Sequence, residues 1–174
     1  MRVFQADECM NSKRFEAACN SEGRGGLYRL YRFPKSFKGR SIKDPEILRH
    51  FFDRGTPIIT NDEEMLSEHA NAIPEEHPGL IVVAFSPDCQ EIISDRVSME
   101  MLARFKSLFP AWATIPCSNS VVVITERWVE IMHKEGGGLL RDAQLEYRSQ
   151  AVESLLIEVL NANAGRSTRR FPDS

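Results

Sequence analysis

Short apolar runs in this chain alternate with stretches whose apolar residues recur at helical spacing. The apolar runs predict strands at Arg2–Ala6, at residues 57–60 and at residues 80–85. The last of these is continuous, which is typical of a strand buried on both faces of a sheet. Between them, Asp44-Pro45 has the residues of a helix start, with Asp as N-cap and Pro at the first helical position. The alternation predicts an α/β fold with a mainly parallel central sheet.

The carboxyl-terminal half continues with two strands and a long helix. Residues 121–125 predict a strand, and residues 128–132 predict a strand that pairs with it. Apolar residues recur at helical spacing over about residues 139–161 and predict one long helix. The three glycines at 136–138 predict a hinge or helix stop before it. Further helices are predicted after Ser12, over residues 61–72 and after Ser98.

Length and composition indicate a single globular domain with appended segments. A chain of 174 residues can bury one core, and we expect a main domain at 1–135, a helical extension at 136–163 and a flexible basic tail at 164–174. A formal net charge of -3 does not indicate a polyanion partner for the chain as a whole. No apolar run approaches 18 residues and no signal pattern is present, so we expect a cytoplasmic protein without a membrane span.

The cysteines and histidines form no recognisable metal or nucleophile motif. The four cysteines include no Cys-x-x-Cys pair and have no histidine at zinc-ligand spacing. The histidines are scattered along the chain, at His50, His69, His77 and His133. Zinc binding and cysteine-based catalysis are therefore not indicated, and reduced thiols are expected.

Acidic residues stand next to the ends of three predicted elements. Asp7 follows the first strand, Asp44 begins a helix, and Asp62 and Glu64 follow the strand at 57–60. Because the carboxyl ends of parallel strands meet at one edge of a sheet, we expect these acids to lie close together. Grouped carboxylates suit Mg²⁺, and such an ion can turn a bound water into a nucleophile that attacks a phosphodiester. The acids therefore predict a cation site for phosphodiester cleavage.

Helix capping explains some of the same acids without any catalysis. Asp44 is a suitable N-cap, and Asp62 with the acids after it suits the start of a helix. Asp7 has less structural need, because it stands directly after a strand. Capping and metal binding are also compatible where a cap projects into the crevice, so both explanations stay open.

Residues 23–43, here called the basic segment, contain no acid. Seven basic residues lie in it, interleaved with Tyr28, Tyr31, Phe33 and Phe37. Basic side chains contact phosphates, and aromatic rings stack on unpaired bases at roughly 1–3 kcal/mol each. The alternatives are a solvated loop whose aromatics pack on the core, and a surface for an acidic partner segment. The candidate substrate-binding residues in the segment are Arg29, Arg32, Lys35, Lys38 and Arg40.

The order of these motifs resembles that of PIN-like domains, the nuclease-like families related to VapC toxins of toxin–antitoxin pairs. The likeness covers residues 1–128 and is most specific at Thr60-Asn61-Asp62-Glu63-Glu64 and at residues 79–83. It implies a three-layer α/β/α fold, here with a C-terminal helical extension. It further implies a hydrolase, an endoribonuclease that depends on Mg²⁺ or Mn²⁺.

The resemblance also implies roles for particular residues. Asp7, Asp44 and Asp62 would be catalytic and would bind the metal together with Glu64. Auxiliary ligands would be Glu8 and Glu46, and Thr60 and Asn61 would orient the ligands or a bound water, with Asn61 also near the substrate. The chain departs from the pattern at Met65, where an aromatic residue is usual, in the long segment 20–43, and in the helix predicted after Gly138.

Two classes of function therefore compete. The first is a metal-dependent ribonuclease, with RNA as its substrate, an antitoxin protein as its partner and a homodimer as its expected assembly. The second is a catalytically inactive PIN-like module that binds a protein or nucleic acid, in which the acids only cap helices. A phospho-acceptor domain is the weakest alternative, because no Lys follows the later strands at Phe85 or Thr125.

Overall fold

The described part of the chain forms a mixed sheet with two α-helices. The computed structural model describes residues 2–7, 28–31, 44–83, 117–125, 127–146 and 152–166. The strands are β1 (Arg2–Ala6), β2 (Tyr28–Tyr31), β3 (Ile58–Thr60), β4 (Leu80–Val83), β5 (Val121–Ile124), β6 (Trp128–Glu135) and β7 (Gly138–Glu146). The helices are α1 (Asp44–Phe52) and α2 (Val152–Ala164), with 3₁₀ helices at Glu63–Leu66 and Ala70–Ala72. The helices predicted after Ser12 and Ser98, and residues 167–174 of the predicted tail, lie outside the described residues.

The sheet combines a parallel part with an antiparallel hairpin. Its order is β2-β1-β3-β4-β5-β6-β7, with parallel pairing from β2 to β5 and antiparallel pairing of β5 with β6 and β6 with β7. The α/β class and the pairing of β5 with β6 are confirmed. The prediction of a mainly parallel sheet omitted the antiparallel hairpin, so the sheet is described as mixed.

The helix α1 covers one face of the parallel strands. It begins at the Asp44-Pro45 pair that predicted it, and its residues Ile47, Leu48, Phe51 and Phe52 are buried. They share one core cluster with alternate residues of β3, β4 and β5, namely Ile58, Leu80, Val82, Val121 and Val123. Burial of a side chain of this size stabilises the fold by about 1.5–3 kcal/mol. Because α1 connects the carboxyl end of β2 to the start of β3, its amino terminus points toward the carboxyl edge of the sheet.

The long helix predicted over residues 139–161 is wrong in its first half. Residues 138–146 form β7 and pair with β6, and helix begins only at Val152. Gly136 has φ 57° and, with Gly137, makes the two-residue turn between paired Glu135 and Gly138. A Gly-Gly pair between two strands is a hairpin signal, because glycine adopts the positive φ that a two-residue hairpin turn requires. The helical extension is thus a strand followed by a shorter helix.

The helix predicted over residues 61–72 is also wrong. Two short 3₁₀ helices stand there, separated by a turn. Met65 and Ala70 are the buried residues of the two 3₁₀ helices, and a five-residue spacing does not keep them on one face of an α-helix. Lys134 of β6, itself buried, donates from Nζ to the carbonyl oxygen of Ala70 and holds the second 3₁₀ helix against the hairpin.

Candidate functional site

Asp7 lies at the carboxyl edge of the sheet and is almost completely buried. Parallel pairing of Gln5 with Ile58 and of Ala6 with Ile59 brings Asp7 beside Thr60, the last residue of β3. Asp7 is only 2% exposed, and Thr60 Oγ1 donates a hydrogen bond to its Oδ2 at 2.9 Å. Burial of a carboxylate this deep requires hydrogen-bonding or cationic compensation, and the Thr60 hydroxyl supplies part of it.

Asp62 is linked to Asp7 through the same hydroxyl group. Its backbone N–H donates to Thr60 Oγ1 at 3.0 Å, while that oxygen donates onward to Asp7. The Asp62 side chain is the N-cap of the first 3₁₀ helix, because Oδ1 accepts from the backbone N–H of Glu64 at 2.9 Å. The capping explanation for Asp62 is therefore confirmed, and its second carboxylate oxygen is not used by that cap.

The remaining predicted acids are placed less completely. Asp44 is the first residue of α1, at the end of the helix that points toward the carboxyl edge, and its side chain lies outside the described residues. Glu46 is exposed on α1, and Glu8 lies outside the described residues. The proposed ligand set is thus described at Asp7, Asp62 and Glu64.

Of the predicted substrate-binding residues, two are placed. Asn61 is exposed directly after β3, at the same edge as Asp7. The backbone of Arg29 lies in β2, which runs parallel to β1 and ends at that edge, since Tyr31 is opposite Gln5. The others lie outside the described residues: Arg32, Lys35, Lys38 and Arg40.

A different group of ligands comes together next to this edge. Among the described side chains, Glu64, Glu68 and His69 offer ligand atoms that all lie within 4.8 Å of one another. Glu64 and Glu68 are exposed and His69 is half-buried. The group does not include Asp7 or Asp62, so Glu64 lies close to potential ligands other than the ones predicted for it. Sequence inspection passed over His69, although the four-residue spacing of the two glutamates was a signal for a shared surface.

The chemistry of the edge suits a hard cation, although its described geometry is incomplete. Carboxylate and hydroxyl oxygens are the donors that Mg²⁺ and Mn²⁺ prefer. Thr60 Oγ1 links the Asp7 carboxylate to the backbone N–H of Asp62, and the one group of three potential ligands among the described side chains, Glu64, Glu68 and His69, includes neither Asp7 nor Asp62. The residue types therefore fit such an ion, and the side chain of Asp44 is the part of the predicted set that would have to complete it.

A second polar cluster lies between the β6–β7 hairpin and α2. Asp142 accepts from His133 Nδ1 at 2.8 Å, from Asn163 Nδ2 at 2.9 Å and from Arg166 Nη2 at 3.1 Å. Asp142 is the extra residue of a β-bulge, since Ala143 pairs with Ile131 and Arg141 with Met132. Sequence inspection missed the cluster because a helix was predicted across Asp142.

Comparisons of the chain with protein-family models, with curated proteins and with solved structures give no match. The resemblance to PIN-like domains therefore stays a prediction that depends on the motifs alone. In the described part of the chain, neither helix has the length and apolar character needed to cross a membrane.

Proposed function

We propose that this protein is a metal-dependent nuclease that cleaves RNA at the carboxyl edge of its sheet. The observation that carries the proposal is the position of Asp7, which lies at the end of β1 and is only 2% exposed. Thr60, the last residue of the neighbouring strand β3, joins its carboxylate to the backbone of Asp62. In open α/β sheets the ligand crevice lies outside the carboxyl ends of the strands. A buried acid at that edge is a candidate for function with a physical rationale.

The proposed ligands are Asp7 and Asp62, with Asp44 at the amino terminus of α1 and with Glu64, whose carboxylate would have to turn from Glu68 and His69 to join them. Mg²⁺ or Mn²⁺ bound there would lower the pKa of a coordinated water and make it a nucleophile near neutral pH. Thr60 fixes the orientation of the Asp7 carboxylate, because its hydroxyl is itself held by the Asp62 amide. Asp62 can offer the oxygen that its cap interaction leaves unused.

RNA is the proposed substrate because of the sequence that leaves β2. Tyr31 ends β2 beside Gln5, at the edge that carries Asp7, and Asp44 begins α1 at the same end of the fold. The chain between them carries five basic residues and no acid: Arg32, Lys35, Lys38, Arg40 and Lys43. A basic stretch whose two ends are both anchored at the edge would bring cations to the phosphates of a bound strand. The role of a toxin with an antitoxin partner is part of the proposal only through the PIN-like resemblance.

The test is cleavage of single-stranded RNA in Mg²⁺ or Mn²⁺ by the wild type and by Asp62→Asn. An asparagine keeps the hydrogen bond that caps Glu64 but removes the charge, so the variant should fold. Its rate of RNA cleavage should fall by roughly 10–100-fold or more, the usual cost of losing a metal-site partner. Glu76→Gln removes the same charge from an exposed residue before β4 and should leave cleavage unchanged. Undiminished cutting by Asp62→Asn would show that the acid has no part in the reaction.

A second candidate is a binding module of the same fold that lacks catalysis. The observation that favours it is the use of Asp62 as an N-cap, which accounts for that acid without a metal. This candidate predicts that divalent cations neither stabilise the protein nor support cleavage of RNA.

A further inference from the structure

His77 occupies an unusual position for a titratable residue. It is only 5% exposed, and neither ring nitrogen has a hydrogen-bond partner among the described residues. Its ring stacks on Phe52, the last residue of α1, with centroids 5.3 Å apart and an interplanar angle of 23°. Two unsatisfied polar atoms in a core are rare and costly, so a buried imidazole without a partner needs an explanation.

The backbone of His77 is fixed while its ring is not. The His77 N–H donates to Asn119 Oδ1 at 3.0 Å, and the Asn119 N–H donates back to the His77 carbonyl oxygen at 2.8 Å. Asn119 adopts φ 60°, a left-handed conformation that asparagine tolerates, and this places both of its groups toward His77. Among the described residues, the aromatic contact of the ring is its stacking on Phe52 of α1.

Burial is the only cause that lowers the pKa of His77, from 6.5 to about 4. The described charged side chains of α1, of the turn after it and beside His77 are exposed, namely Glu46, Arg49, Asp53, Arg54, Glu75 and Glu76. The other titratable ring on α1, that of His50, is half-buried and pairs with Arg54. Cys117, in the loop before β5, is buried and donates to the carbonyl oxygen of Pro78. Any state in which the ring is hydrated therefore takes up a proton more readily than the closed state does.

We propose that His77 is an acid-sensitive latch, in which uptake of a proton by the ring drives it away from Phe52 and opens α1 locally while β4 and β5 stay folded. The segment that carries the ring is short and its preceding residues, Pro74, Glu75 and Glu76, are exposed. Turning the ring outward, with residues 74–76 giving way and the two hydrogen bonds to Asn119 kept, hydrates it at a smaller cost than unfolding the strands, whose residues are buried throughout. The latch does not depend on the proposed nuclease activity.

The size of the effect follows from linkage. The folded pKa lies below the unfolded one, so the closed state is fully favoured above pH 6.5 and loses that advantage as the pH falls toward about 4. Between pH 7.5 and pH 4.5 the equilibrium constant for opening should rise about 70-fold, from the ratio of proton-binding polynomials for the two states.

Amide hydrogen exchange of the full chain at pH 7.5 and 4.5, corrected for intrinsic exchange rates, tests the latch. In the wild type, peptides from α1 should lose protection by that factor in acid, while peptides from β5 keep theirs. His77→Leu should abolish this difference in protection between the two pH values. If the leucine variant does not fold, His77→Phe is used in its place. Phe52→Leu is the matched control, since it weakens the contact but keeps the ring and so keeps the acid dependence.

Two results would overturn the proposal. One is the same acid-induced loss of α1 protection in the His77 variants, which would mean that another group takes up the proton. The other is loss of protection in β5 in parallel with α1, which would mean global unfolding instead of a local opening.

Discussion

Replacement of Asp142 by alanine should be among the most damaging single changes on the β6–β7 hairpin. The carboxylate is 13% exposed and accepts from three side chains, on β6, on α2 and just beyond α2. Each hydrogen bond to a charged group contributes about 1.5–3 kcal/mol where the donor is buried. His133 and Asn163 meet that condition, whereas Arg166, with its side chain 48% exposed, contributes at most about 1 kcal/mol.

The expected loss is therefore about 3–7 kcal/mol of unfolding free energy. It lies at the lower end if Asn163 is partly compensated by its other acceptor, Ser120 Oγ at 3.2 Å. Urea unfolding at pH 7, followed by circular dichroism and extrapolated linearly, measures the difference. Asp142→Asn should cost less, because it keeps one acceptor oxygen.

The neighbouring residue provides the control. Arg141 makes a 3.3 Å ion pair with Glu130 on the same hairpin, with its side chain 57% exposed, so Arg141→Ala should cost less than about 1 kcal/mol. If Asp142→Ala is no more destabilising than Arg141→Ala, the polar cluster does not hold α2 to the hairpin and the reasoning fails.

Two further changes test local features near the core. Gly79 has φ 132°, and a Cβ there would lie 2.6 Å from Cys117 Sγ, so Gly79→Ala should cost about 1–3 kcal/mol in urea unfolding. Gly137→Ala, whose Cβ would lie 3.7 Å from its nearest neighbour, should cost far less. Equal losses would contradict the steric argument. Thr60→Val removes the hydroxyl between Asp7 and the Asp62 amide and should lower the free energy of unfolding by about 1–3 kcal/mol, while Thr60→Ser should retain most of the stability. If Thr60→Val unfolds at the same urea concentration as the wild type, this link does not stabilise the protein.

Much of the parallel half of the fold was predictable because its signals are local, whereas β2, at Tyr28–Tyr31 within the basic segment, was not predicted. The Asp44-Pro45 pair marks the start of α1, and the apolar runs mark β3 and β4. Parallel pairing then places Asp7 beside Thr60 by register alone. The position of Asp7 and Asp62 at one edge therefore follows from sequence once the strand order is known.

The antiparallel half was not predictable in the same way. Buried and exposed residues along β7 are compatible with the period of a helix and with that of a strand, and only the turn at Gly136 decides between the two. The bulge at Asp142 then brings His133, Asn163 and Arg166 together, a contact that depends on hairpin register and on the docking of α2. Such contacts join residues far apart in sequence and leave no short motif.

The central claim is that a divalent cation binds at the carboxyl edge through Asp7. Thermal unfolding with and without Mn²⁺ tests it in the wild type, in Asp7→Asn and in Glu68→Gln. At 100 times its dissociation constant, a bound ion stabilises by about 2.7 kcal/mol, which raises the Tm by about 5–10 °C for a chain of this size. Asp7→Asn keeps an acceptor for Thr60 and should lose the Mn²⁺ shift, while Glu68→Gln, which changes the exposed cluster at a residue outside the proposed ligands, should keep it. A shift that survives in Asp7→Asn, or no shift in the wild type, would contradict Mn²⁺ binding through Asp7, and its loss in Glu68→Gln would place the ion at the exposed cluster instead.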